Sequence, residues 1–131
     1  MNQLEIINLF NLNKKQKELF DQYILELIKY NKHTNLVGKS TLIDPWKSHI
    51  LDCLQILPLI NNKKTSILDM GTGAGLPGIL FSILGFSNVT LVDSNRKKTY
   101  FLKTIKKEMN LSFNIILNRL EKIDNIKFDL I

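Results

Sequence analysis

Ser66-Ile67-Leu68-Asp69-Met70-Gly71-Thr72-Gly73-Ala74-Gly75-Leu76-Pro77-Gly78, running on through Ile79 to Leu84 and into Val89-Thr90-Leu91-Val92-Asp93, decides the fold. Ile67–Met70 is a short apolar run broken by one acid, and Gly71, Gly73, Gly75 and Gly78 follow within eight residues. That order predicts a strand, a sharp turn and a helix. Glycines at this density let a ligand lie directly against the backbone N–H groups. Pro77 suits the first turn of a helix over Gly78–Leu84, whose positive end and free donors then face that ligand. Val89 to Val92 alternates into a second strand, and Asp93 falls at its carboxyl end, where open α/β sheets place their crevice. The unit predicts a nucleoside site.

Two nucleosides compete for it. Gly73-Ala74-Gly75-Leu76-Pro77-Gly78 satisfies G-x-G-x-x-G with an acid downstream, which keeps a nicotinamide-dependent oxidoreductase open. The register favours another reading, because Gly71 already closes the strand and the matching pattern starts after it. Asp69-Met70-Gly71-Thr72-Gly73-Ala74-Gly75 resembles the first motif of S-adenosylmethionine-dependent methyltransferases. That resemblance implies a loop carrying the methionine tail and ribose of S-adenosyl-L-methionine. Asp69 then polarises the loop or faces the ammonium, and Asp93 accepts the ribose hydroxyls.

Outward from the loop, the sequence toward the N-terminus reads as helical. Asn13 with Gln16 has the spacing of a capping box, and Leu19, Phe20, Tyr23, Ile24, Leu27 and Ile28 form an apolar stripe behind it. Asp44 and Pro45 sit as N-cap and first position of another helix, on which Trp46, Ile50, Leu54 and Leu57 recur until Pro58. The polar link 61–65 then leads straight into the first strand. Beyond Asp93, a helix to about Asn110 turns Phe101, Leu102, Ile105 and Met109 inward and Lys103, Lys106 and Lys107 elsewhere. Phe113–Leu117 is expected as a third strand and Phe128–Ile131 as a fourth. Alternating strands and helices imply right-handed crossovers and a parallel sheet of order 3-2-1-4. Residues 1–60 form an N-terminal helical region packed on the sheet unit of residues 61–131, as one structural domain.

Tyr30-Asn31-Lys32-His33-Thr34-Asn35-Leu36, His49-Ile50-Leu51-Asp52-Cys53, Leu76-Pro77-Gly78 and Leu91-Val92-Asp93-Ser94 together are similar to motifs of the bacterial small-subunit ribosomal RNA guanine-N7 methyltransferases, the glucose-inhibited division protein B family. The resemblance runs from Tyr30 almost to the end, with Tyr30 in place of the usual tryptophan and Cys53 in place of the usual serine. It implies a Rossmann-like S-adenosylmethionine-dependent methyltransferase fold, a mainly parallel three-layer sheet behind a helical region. It also implies a cofactor cleft lined by Gly71, Gly73, Gly75, Leu76 and Asp93. Leu120 and Glu121 are implied at the adenine. The family continues past its fourth strand with an arginine near the cofactor and further strands. The expectation is therefore a chain truncated after that strand, with an uncovered sheet edge and weak activity by itself.

Methyl transfer to guanine N7 needs no general base, since N7 already offers a free lone pair; what it needs is in-line placement. No catalytic residue is assigned. His49 and Asp52 stand three apart on one helix, and an orienting contact between them is favoured over proton chemistry. His33 and Asn35 either touch RNA or hold the turn between helices. With 18 Lys and Arg against 12 Asp and Glu, the formal charge is +6. That balance favours a polyanion, and ribosomal RNA or the small ribosomal subunit is the expected partner. The lysines of the 96–110 helix are either a solvated face or part of that contact. The single cysteine, Cys53, excludes an internal disulfide and suits a reducing cytoplasm. Neither a membrane span nor a metal site is expected, because no long apolar run and no His or Cys cluster is present. A non-catalytic RNA-binding fragment is the remaining alternative.

Overall fold

The computed structural model describes residues 1–60 and 62–119. The fourth strand expected at Phe128–Ile131, and both Leu120 and Glu121, lie outside them. Two capping boxes start the fold. Asn2 and Glu5 exchange side-chain and backbone hydrogen bonds ahead of α1 (Gln3–Leu9), and Asn13 and Gln16 do the same ahead of α2 (Lys14–Asn31). Each satisfies two donors that a helix start leaves without partners. The short α1 escaped the sequence reading, although Asn2 and Glu5 carried the same signal as Asn13 and Gln16.

Helix α2 buries Phe20, Tyr23, Ile24 and Leu27, as its stripe predicts. Asn31 closes it: its side-chain oxygen accepts from the N–H groups of Leu36 and Val37 at 2.9 and 3.0 Å, which turns the chain back toward the core. A 3₁₀ turn at Lys39–Leu42 follows. The helix expected after Asp44 is not uniform. Trp46–Leu51 is a π-helical turn that passes into α3 (Asp52–Leu54) and ends in a 3₁₀ turn at Leu57–Leu59. Trp46, Ile50 and Leu54 recur every four residues, slightly wider than the 3.6-residue α period, and the looser turn keeps all three buried. Trp46 is fixed twice, edge-on to the Phe20 ring and by donating Nε1–H to Asp21 at 2.9 Å.

Strands β1 (Ile67–Met70), β2 (Val89–Asp93) and β3 (Asn114–Leu117) form a parallel sheet in the order β1-β2-β3, with α4 (Gly78–Ile83) and α5 (Arg96–Glu108) as the crossovers. This is the α/β, Rossmann-like arrangement expected for the three strands described. All five residues of β2 are buried. The alternation read in Val89–Val92 therefore does not separate a wet face from a dry one, because a central parallel strand is covered on both sides. Helix α5 begins at Asn95, whose side chain accepts from Lys98 N–H, and buries Thr99, Phe101, Leu102 and Ile105. A single cluster of buried side chains runs from Ile6 through the helices to Phe113, so residues 1–60 and the sheet share one core. Among the described residues no helix is long and apolar enough to cross a membrane.

Candidate functional site

Parallel pairing of Met70 with Val92 brings the carboxyl ends of β1 and β2 side by side, and the glycine loop leaves between them. Its backbone donors do not wait for a ligand as the sequence reading expects. Gly71 and Thr72 both donate to the Val92 carbonyl, at 2.8 and 3.0 Å, and Gly75 donates to the Thr72 carbonyl at 3.0 Å. Gly73 N–H donates to Asp93 Oδ2 at 2.9 Å. The start of α4 is closed in the same way, with Gly78 N–H donating to Asp69 Oδ2 at 3.0 Å. Two carboxylates thus hold the positions that an anion takes at such loops.

Asp93 is buried, and its second oxygen accepts from Asn95 N–H at 2.9 Å, so one side chain ties the loop to the start of α5. A carboxylate has about four lone-pair sites, and these two bonds leave capacity for hydroxyl donors. Asp69 also accepts from the Thr72 hydroxyl at 2.8 Å. Burial is the main cause that pushes its carboxyl up to about 6, with the Asp93 charge adding to it and the hydrogen bonds from Thr72 and Gly78 opposing it.

The glycines of the loop face different surroundings. Gly73 has φ +58°, and a Cβ added there would meet no protein atom within 4 Å. Gly75, at φ +86°, is pressed against the Ile79 side chain, with Leu102 Cδ2 at 2.9 Å from an added Cβ. Gly78 lies against Leu91 and Asp69. A Cβ at Gly73 would thus meet open space in a loop braced by two acids, one buried and one half-buried. The residues present fit S-adenosyl-L-methionine in their chemistry, since the two acids suit hydroxyls and an ammonium.

One support was not foreseen. Tyr23, read as part of an apolar stripe, donates its buried hydroxyl to the Ala74 carbonyl at 2.7 Å and so ties α2 to the tip of the loop. Burial drives the Tyr23 phenol well above its ordinary pKa, which keeps it a donor. A hydroxyl-bearing tyrosine in an otherwise apolar stripe was the available signal, since a buried phenol needs a partner.

Leu76 and Pro77, together with His49, Asp52, Cys53 and Ile56, line a cleft of about 170 Å³. The favoured His49–Asp52 contact gives way to a different bond, as His49 Nε2 lies 2.9 Å from Thr41 Oγ1. Thr41 spends its single hydroxyl hydrogen on the Gly38 carbonyl at 2.6 Å. Its oxygen is then the acceptor, His49 Nε2 carries the proton, and Nδ1 of the neutral ring is left as an acceptor, a tautomer assigned from the network. Burial lowers the His49 pKa and the nearby Asp52 charge opposes that shift, in keeping with a neutral ring. Cys53 is buried, and its thiol is pushed up to about 12, chiefly by burial, so it is no nucleophile.

The remaining candidates fall farther out. Lys103, Lys106 and Lys107 line a shallow groove with Asn110, Leu111 and Ile115 on the outer side of α5. His33 lines another with Tyr30, Thr34, Arg96, Lys97 and Tyr100. Among the described residues there is no group of three or more His, Cys, Asp or Glu arranged to hold a metal ion.

A family model described as rRNA small subunit methyltransferase G matches residues 16–131. Curated proteins named ribosomal RNA small subunit methyltransferase G from Rickettsia rickettsii (strain Sheila Smith), Rickettsia typhi (strain Wilmington) and Rickettsia prowazekii (strain Madrid E) are each 43% identical to the chain over 96 residues. The aligned part is 73% of this chain and 50% of each relative, so the chain spans about half the length of the curated relatives it matches.

Proposed function

We propose, from the premise that the chain belongs to the rRNA small subunit methyltransferase G family, that it carries the cofactor site of an enzyme methylating N7 of a guanine in small-subunit ribosomal RNA. The observation that carries this reading is the pair of carboxylates at the glycine loop. A dinucleotide pyrophosphate on G-x-G-x-x-G needs the N–H groups that Asp69 and Asp93 have taken at Gly78 and Gly73, and it would meet two acids there. A cofactor with an ammonium, a sulfonium and ribose hydroxyls gains from the same arrangement. The nicotinamide alternative is not favoured on these grounds.

Gly71 shapes the start of the cleft, Gly73 leaves room for the ligand, and Gly75 and Leu76 form its floor. Asp93 accepts the ribose hydroxyls while it braces Gly73. Leu120 and Glu121, outside the described residues, are assigned to the adenine on the family resemblance. S-adenosyl-L-methionine held by these residues would supply a sulfonium methyl to the N7 lone pair, chemistry that calls for no proton to be removed. The protein's own residues have only to hold the two partners in line. Ribosomal RNA or the small ribosomal subunit is the partner, drawn by the net charge of +6.

Calorimetric titration tests the cofactor reading. S-adenosylhomocysteine is expected to bind at least about tenfold more tightly than NADH, a difference of ~1.4 kcal/mol. Preference for NADH would overturn it.

A further inference from the structure

The cleft lined by Leu76 and Pro77 takes one wall from the glycine loop, and its polar wall has a definite character. Asp52, exposed at the first position of α3, brings a carboxylate that only accepts hydrogen bonds when ionised. His49 adds Nδ1 as a further acceptor, because Thr41 has fixed the ring proton on Nε2. The other lining groups, Cys53, Ile56, Leu76 and Pro77, are apolar or buried and suit the face of a flat ring. A wall of acceptors beside an apolar floor selects a ring that presents adjacent donors. Among the four RNA bases this is the Watson–Crick edge of guanine, with N1–H next to the N2 amino group; adenine and cytosine place an unprotonated ring nitrogen there, and uracil flanks its one N–H with carbonyls.

We infer that this cleft takes the acceptor guanine, with Asp52 accepting from N1–H and the N2 amino group and His49 as a second acceptor. The inference rests on the guanine-N7 methyltransferase reading above. It also supplies an orientation: N7 lies on the opposite side of the purine from N1 and N2, so a base held by that edge turns N7 away from Asp52. Bases on which chemistry is done are commonly taken out of the stack and read in this way. Asp52 is then a specificity residue, and His49 assists it.

The test uses the chain saturated with S-adenosylhomocysteine, so that purine nucleotides cannot enter the cofactor site. GMP, IMP and AMP are titrated in turn, IMP lacking the N2 amino group and AMP lacking both donors. GMP is expected to bind roughly tenfold more tightly than IMP, with AMP weakest, the size of one charge-assisted hydrogen bond. D52N puts an amide donor against the N2 amino group, and should reduce the GMP preference to about threefold or less. Its S-adenosylhomocysteine affinity and thermal midpoint should match the parent chain. Equal affinities for the three nucleotides in the parent chain, or an unchanged preference in D52N, would overturn the inference and leave the cofactor reading standing. A tenfold loss of S-adenosylhomocysteine binding in D52N would overturn it too, by giving the cleft to the cofactor. Failure of the parent chain to bind S-adenosylhomocysteine brings down both readings.

Discussion

Gly73 and Gly75 stand two residues apart in one loop, both with positive φ, yet the first looks onto open space and the second onto packed side chains. The difference separates two tasks that a glycine-rich pattern merges. The half of the loop near Gly73 is held from below by Asp93 and leaves its upper side clear for a ligand. Toward Gly78 the backbone lies close against Ile79, Leu91 and Leu102, so that α4 can sit tightly on the sheet. One half makes room and the other removes it. A substitution in the first half should reach the ligand before the fold, and one in the second half the fold before the ligand.

The largest expected effect is therefore at Gly75. G75A drives a methyl group into Ile79 and Leu102 in a core with little slack, and places an L-residue at φ +86°. Overpacking costs ~1–3 kcal/mol and the strained backbone a further ~1–3 kcal/mol. Against a total stability of ~5–15 kcal/mol, the urea midpoint should drop sharply. An unchanged midpoint would show that the two halves of the loop do not differ in the way described.

G73A is the counterpart and should give the smaller loss of stability. The left-handed backbone costs an alanine about 1–2 kcal/mol, but no protein atom stands within 4 Å of the new methyl. It projects where the ribose and tail are proposed, so S-adenosylhomocysteine affinity should fall tenfold or more in a protein that still unfolds cooperatively. Wild-type affinity in folded G73A would move the ligand elsewhere.

The same contrast explains what the sequence could convey. The strand, loop, helix and strand order, the capping box at Asn13 and the inward residues of α5 were all legible, because each rests on local spacing and local hydrogen bonds. The loop's use of its own N–H groups was not. Gly73 and Asp93 are 20 positions apart, and only the parallel register of β1 and β2 brings them together. Tyr23 and Ala74 are 51 apart, so the phenol's role depends on how α2 packs on the loop. His49 misled for the opposite reason: Asp52 was near in sequence and chemically apt, while Thr41, whose hydroxyl must accept from His49 because Gly38 takes its hydrogen, gave no local signal.

The smallest expected effect concerns Asp69, which belongs to both halves, since it caps α4 and accepts from Thr72 below the open side of the loop. Its folded-state pKa is raised from 3.8 to about 6, first by burial, so the folded chain holds that proton more firmly than the unfolded one does. The corresponding stability is fully present below about 3.8 and is lost as pH rises through about 6. Ligand binding should run the other way. An ammonium near Asp69 favours the ionised carboxylate, and the ammonium keeps its charge across this range. S-adenosylhomocysteine affinity should therefore rise on the order of threefold between about pH 5 and 7 while the urea midpoint declines. D69N keeps an oxygen to accept from Thr72 and Gly78 but cannot ionise, so it should flatten both profiles. A D69N chain that retains the rise in affinity would place the ammonium away from Asp69. The acid would then serve only the packed half of the loop.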